Sequence, residues 1–172
     1  MRSSNQADAG ADEVDRLVDA WHRERPDLDV TPMQVLSRVT RLARHLDLAR
    51  RQAFAEHDLE TWEFDVLSAL RRAGQPYELS PGRLIRETMV TSGTMTNRVD
   101  RLTTKGLVRR LPDEADRRGV LVQLTPTGRQ RVDAALAGLL AQERVLLGDL
   151  TKTDREGLAR LLRRVVAPFE TR

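Results

Sequence analysis

Three times along this chain a hydroxyl residue stands directly before a proline, at Thr31-Pro32, Ser80-Pro81 and Thr125-Pro126, each at the head of a segment with helical apolar spacing. The hydroxyl accepts from the unpaired N–H groups of a first helical turn. Proline fits the first helical position because the N–H it lacks would have no partner there. Such starts commit the chain to helices and fix where several of them begin. The first predicts a helix running to about Ala55, with Val35, Val39, Leu42 and Leu46 in one stripe. The second predicts a short helix anchored by Leu84 and Ile85, and the third a long one carrying Val132, Leu136, Leu139, Leu140, Leu146, Leu147 and Leu150. Further helices are expected from Asp12 to about Arg25, with Val14, Leu17, Val18 and Trp21 before Pro26, and from about Leu59 to Ala73, stopped by Gly74. A last helix follows a capping box of Thr153 and Glu156 and bears Leu158, Leu161, Leu162, Val165 and Phe169.

The pattern changes at "TSGTMTNRVDRLTTKGLVRR", residues 91–110, where a helix starting at Thr91 or Ser92 is stopped by Gly106. Two β-branched segments follow, Leu107 to Leu111 and Gly119 to Thr125, around the charged loop "PDEADRRG", which reads as a hairpin with a basic tip. Helix, turn, helix, strand, loop, strand is the order of a winged helix-turn-helix, whose second helix enters the DNA major groove while the hairpin reaches the backbone or minor groove. The fold class expected is mostly α with a small β-hairpin wing. Residues 1–11 are small and polar and read as disordered, 12–30 as an extra N-terminal helix and 31–58 as a dimerisation helix. Residues 59–125 then form the DNA-binding domain and 126–172 the C-terminal dimerisation helices. The terminal helices carry more apolar surface than one small domain needs; burial in a homodimer accounts for it, and packing within one chain is the alternative.

Composition narrows the function classes. Apolar runs fall far short of the ~20 residues that span a bilayer, and the N-terminus has no apolar signal core, so a cytoplasmic protein without a membrane partner is expected. The absence of cysteine removes disulfides, thiolate nucleophiles and Cys-ligated metals, and His22, His45 and His57 form no metal-binding spacing. With no phosphate loop and no Ser–His or Cys–His arrangement, neither an enzyme nor a cofactor is expected. The net charge of +3 is unevenly spread: residues 80–131 hold eleven Lys or Arg against five Asp or Glu, and the rest of the chain 18 against 21. Positive charge therefore gathers around the quoted stretch, as on a surface that meets phosphates. The competing reading is a helical adaptor that uses the same winged helix and basic stretch for an acidic protein partner.

Helical phase assigns the faces of the quoted helix. Met95, Val99 and Leu102 fall on one side, and Gly93, Thr96, Asn97, Asp100, Arg101 and Thr104 on the other. Ser92, Thr94 and Thr96 are short hydroxyls near a helix N-terminus, where free N–H groups favour phosphate. Gly93 lets a duplex backbone come close, Asn97 can pair with an adenine edge, and Arg101 can reach guanine or phosphate. Arg98 breaks the pattern. It sits about 60° from the centre of the apolar face and points back toward the protein, so Asp65 or a bound anion is expected to answer its charge.

"SGTMTNRVDRLTTKGLVRR" followed by "DEADRRGVLVQLTPTG" resembles the MarR family of dimeric winged-helix transcription regulators. The family's wing signature is matched by Asp116, Arg118, Gly119, Val122, Leu124, Thr125 and Gly128, and the similarity runs from about Thr31 to Phe169. The resemblance implies that Arg118 enters the minor groove and that Asp116 supports it, and an arginine fixed by a carboxylate loses less freedom on insertion; Arg117 reads as a phosphate contact. It also implies a homodimer on a pseudo-palindromic operator. Within the family the chain looks like the urate-responsive branch, where Trp21, Asp65, Arg98 and Arg110 match the ligand-binding places in residue type and approximate spacing. A planar purine anion suits an indole, a carboxylate and two guanidiniums. The alternatives are a core or interface role for Trp21, a structural Asp65–Arg98 pair and a phosphate contact for Arg110.

Overall fold

Asp12 begins the ordered helical structure by capping α1 (Glu13–Glu24), and it does so in both directions. Its Oδ1 accepts the N–H groups of Val14 at 2.8 Å and Asp15 at 3.0 Å, and Asp15 Oδ2 accepts the Asp12 N–H at 2.9 Å. This computed structural model describes residues 10–113 and 119–170. The expected disordered start through residue 9 and the wing-tip residues Asp116, Arg117 and Arg118 lie outside the described residues. The chain divides into two units, one ending at Leu48 and the other beginning at Ala49. In the first, α1 is tied to α2 (Thr31–Ala55) by Arg38, which donates to Asp12 at 2.8 Å and Asp15 at 2.7 Å, and by Arg41, 2.8 Å from Glu13. Thr31, expected to cap α2, is instead its first residue, and the Asp29 carboxylate takes the Thr31 N–H at 3.0 Å. A carboxylate two residues upstream is a stronger acceptor than the hydroxyl and displaces it from the capping position.

The second unit holds the last turns of α2, then α3 (Thr61–Arg72), β1 (Glu78–Leu79), α4 (Pro81–Thr88), α5 (Ser92–Thr104), β2 (Val108–Pro112), β3 (Val120–Leu124), α6 (Pro126–Leu146) and α7 (Lys152–Glu170). Its core draws on every layer: Phe54, Leu67, Leu70, Leu84, Met95, Leu102, Leu107 and Val122 are all buried. The Phe54 and Phe64 rings stack with centroids 4.0 Å apart. The expected hairpin forms antiparallel, Val108 opposite Leu124 and Pro112 opposite Val120. A third strand, β1, was not expected. It pairs with β3 through Glu78–Gln123 and Leu79–Val122, giving the order β1-β3-β2. Two residues are too few to show strand periodicity, and only the tertiary pairing makes them a strand.

Two of the hydroxyl–proline starts cap as read, Ser80 accepting from the Arg83 N–H at 3.4 Å and Thr125 from the Gly128 N–H at 3.0 Å. Gly128 is also demanded by packing, since a Cβ there would run into the backbone carbonyl of Leu107. The last cap differs from expectation. Thr151 and Asp154 form it, Asp154 Oδ2 accepting the Thr151 N–H at 3.0 Å and Thr151 Oγ1 the Asp154 N–H at 3.2 Å, in place of Thr153 and Glu156. Both pairs have the capping-box spacing, so spacing alone leaves the choice between them open. α7 buries none of its residues. Among the described residues no helix is long and apolar enough to cross a membrane.

One buried charge fixes α3 against the end of α5. Glu63 is 0% exposed; its carboxylate lies 2.9 Å from Lys105 Nζ and accepts the Glu60 N–H at 2.9 Å. Lys105→Met leaves that carboxylate buried without its cation, and we expect a loss of about 2–3 kcal/mol, below the range for a fully buried pair because the lysine is partly exposed. Urea unfolding at neutral pH measures it. In the first unit, Arg38, followed by the Asp15 N–H, holds the Asp12 carboxyl down at about 2 against an ordinary 3.8. A lowered folded-state pKa stabilises above the unfolded value and is lost as pH falls through the folded one. The α1 amide signals are therefore expected to keep their folded positions down to about pH 4 and to converge on unfolded positions as the pH drops toward 2, tracking the Asp12 carboxyl carbon in an NMR titration.

Candidate nucleic-acid interface

The end of α4 and the start of α5 make the turn of the helix-turn-helix. α4 closes at Met89, in the left-handed region at φ 51°, and Thr91 caps α5, its hydroxyl 2.9 Å from that of Thr94. Met95, Val99 and Leu102 are buried, as their phase anticipates, and this anchors the helix by one side only. Ser92, Gly93, Thr94, Thr96 and Asn97 are left exposed together at its N-terminal half. A Cβ at Gly93 would meet nothing, so packing does not call for glycine there. Thr96 Oγ1 donates to the Ser92 carbonyl at 3.2 Å, which leaves its lone pairs outward. At the other end Gly106, at φ +68°, adopts the left-handed turn that ends the helix and sends the chain into β2.

The cations of this face are held in place by neighbours of the same chain. Arg101 donates to Glu60 at 2.7 Å and lies over the Trp62 ring at 4.7 Å, and Arg98 lies over the same ring at 5.4 Å. The Trp62 indole N–H donates to the other Glu60 oxygen at 2.7 Å. That hydrogen bond, helped by the charge of Arg101 and opposed by desolvation, holds the Glu60 carboxyl below the usual carboxylate range. Arg110 pairs with Asp100 at 2.7 Å. Across the sheet, Arg109 donates to Gln123 at 2.8 Å and Gln123 to Glu78 at 2.9 Å, so β1, β3 and β2 share one polar ladder.

Behind α5 a cleft of about 630 Å³ is lined by Arg51, Leu59, Glu60, Trp62, Asp65 and Arg98, among others. On the exposed side of α5 a recess of about 470 Å³ is lined by Trp62, Gly93, Thr94, Asn97, Arg98 and Arg101. Trp62 and Arg98 belong to both. Of the four residues read as ligand-binding, Asp65 and Arg98 thus line one cleft, but the ion-pair partner of Asp65 is Arg50, at 3.4 Å, while Arg98 rests on the indole. Arg110 stands on β2 with Asp100, and Trp21 stands on α1 in the first unit, 45% exposed. Neither Glu60 nor Trp62 stood out in the sequence. A tryptophan at the head of an amphipathic helix reads as core, and the one available sign was its setting between two glutamates, "ETWEF".

Comparison with known proteins agrees with this architecture. The MarR family profile matches residues 57–119. The HTH-type transcriptional regulator PecS of Dickeya dadantii is 39% identical over 153 residues, which cover 89% of this chain and 92% of PecS. Among solved structures, a mutant MarR from E. coli complexed with operator DNA is 29% identical with a TM-score of 0.64, covering 81% of this chain and 99% of that one. BpsR of Bordetella bronchiseptica, whose DNA binding is regulated by 6-hydroxynicotinic acid, is 29% identical with a TM-score of 0.56, covering 74% and 98%. A three-stranded wing behind a one-sidedly anchored helix, together with a relative matched over nearly its whole length, places this chain in the MarR family of winged-helix transcriptional regulators, which are not enzymes.

Proposed function

We propose that the chain is a homodimeric repressor that binds a pseudo-palindromic operator in the cytoplasm and is released by a small anionic aromatic ligand of the urate type. The observation that carries the DNA reading is the exposure of Ser92, Gly93, Thr94, Thr96 and Asn97 on a helix whose opposite side is locked into the core by Met95, Val99 and Leu102. The N-terminal N–H groups and hydroxyls take phosphates, Asn97 and Arg101 read base edges, and Arg117 and Arg118 contact the duplex from the wing. Selection from a pool of random duplexes is expected to return a pseudo-palindrome with half-sites about 10 base pairs apart. Indifference between selected and scrambled duplexes favours the adaptor reading instead.

The ligand reading is supported by the cleft behind α5. Asp65 can accept from a ring N–H, and Arg98, which lines the same cleft, can meet the negative charge of a planar heterocycle. BpsR, with its 6-hydroxynicotinic acid, is a relative that answers to an anionic aromatic heterocycle. Because Arg98 belongs to α5 itself, a ligand that draws on it acts on the element that meets DNA, and the two compete through one helix. Urate added to the operator complex is expected to dissociate it, whereas Arg98→Ala keeps operator binding and loses most of the urate response. A wild-type complex indifferent to urate at every concentration overturns the ligand assignment and leaves the DNA reading standing.

Dimerisation is supported by α7, where Leu161, Val165 and Phe169 are 54%, 51% and 81% exposed on a helix with no buried residue. An apolar stripe of that extent is otherwise a standing liability in water. Light scattering is expected to give twice the chain mass of 19.5 kDa. Leu161→Glu combined with Val165→Glu is expected to bring it to the single chain and to abolish binding to the two-half-site duplex.

A further inference from the structure

Glu60 immediately precedes α3, and its carboxylate is the meeting point of two elements. One oxygen accepts the Trp62 indole N–H and the other accepts from Arg101 of α5, each at 2.7 Å, while the Arg101 guanidinium lies on the indole ring. The pair is half open to solvent, with Arg101 52% and Glu60 55% exposed. The fold does not depend on it, because α5 is already secured by Met95, Val99 and Leu102 and by the buried Glu63–Lys105 pair. A cation on the groove face of such a helix is one that any phosphate would neutralise. Here a carboxylate of the same chain already does.

We propose that Glu60 is a positioning residue for DNA specificity: it keeps Arg101 on the Trp62 ring, withholding that cation from phosphates of arbitrary sequence until a correctly placed acceptor competes for it. The proposal rests on the reading of α5 as the groove-entering helix. Non-specific binding is driven by phosphate neutralisation and counterion release, and a guanidinium paired in advance contributes little to either. A guanine edge offers two acceptors in the geometry of the guanidinium fork and can share Arg101 with the carboxylate because it is neutral; a phosphate takes the same fork but brings a second negative charge against Glu60. The stacked indole keeps the guanidinium plane oriented during the exchange.

The experiment compares the full-length protein and Glu60→Gln, each with and without Arg101→Ala, on the duplex the wild type selects and on a scrambled duplex of equal length, across a salt series. Glu156→Gln, on α7, is the charge-matched control. Glu60→Gln is expected to bind the scrambled duplex roughly threefold more tightly, the scale of an exposed ion pair. Its salt slope is expected to steepen by about one per protomer while affinity for the selected duplex changes less, so that the specificity ratio falls. Most of this gain disappears in the Arg101→Ala background, and Glu156→Gln shows none of it. An unchanged ratio and slope, an equal gain on both duplexes, or the same gain with Arg101 removed overturns the proposal. A wild type that selects no duplex points to a different failure, that of the DNA-binding reading itself.

Discussion

A carboxylate taken wholly out of water costs several kcal/mol unless a cation and hydrogen-bond donors surround it. Glu63 meets that condition through two groups among the described residues: its oxygens face Lys105 Nζ, at the end of α5, and the Glu60 N–H, at the start of α3. The two helix ends must therefore stay within an ion-pair length of each other. That fixes α5 at its C-terminus, as Met95 fixes it near its N-terminus, and a helix held at both ends presents its polar face at a constant angle. Gly106 then turns the chain into β2 from a settled point, and the wing inherits its position from the same contact. The cleft behind α5 inherits it too, because Glu60 and Trp62 are within three residues of Glu63.

Much of this could be read from residue order, and the reasons differ by element. Ser80 and Thr125 act over three residues, so local sequence contains the whole interaction. The apolar side of α5 follows from helical phase, and the hairpin from the glycine stop and the charged loop. What escaped reading depends on neighbours distant in the chain. Strand β1 exists because β3, more than 40 residues later, lends it a ladder. Asp29 and Thr151 show the limit of cap reading: where two acceptors lie within two residues, local sequence leaves the choice between them open. Glu63 reads as one more surface acid until Lys105 is placed beside it. The pairing of Asp65 with Arg50 rather than Arg98 has the same origin, since Arg50 lies in α2 and reaches α3 only through the packing of Phe54 on Phe64.

Trp62 gives the site its economy of parts. One indole forms a wall of the cleft behind α5 and of the recess on its groove side, and two guanidiniums from successive turns of α5 rest on it. Arg98 and Arg101 are three residues apart, so they lie on adjoining parts of the helix surface and rest on one ring. On the proposed reading, a ligand charge on the cleft side acts on Arg98 and reaches Arg101 through the ring that both contact. No long chain of contacts is needed, because the two sides are one side chain apart.

Much of the charge in the basic stretch is answered within the chain. Residues 80–131 carry six more positive than negative charges, yet Arg101 is paired with Glu60, Arg110 with Asp100 and Arg131 with Asp58. Each of these pairs is exposed enough that its contribution to stability is about 0–1 kcal/mol. For the same reason each opens at little cost when a phosphate or base edge offers a better partner. A surface of unpaired arginines would bind any duplex tightly and gain little from the right one. On the proposed reading of α5, pairing them with carboxylates lowers the background attraction and leaves the specific contacts available, and two of the three acids, Glu60 and Asp58, come from outside the basic stretch.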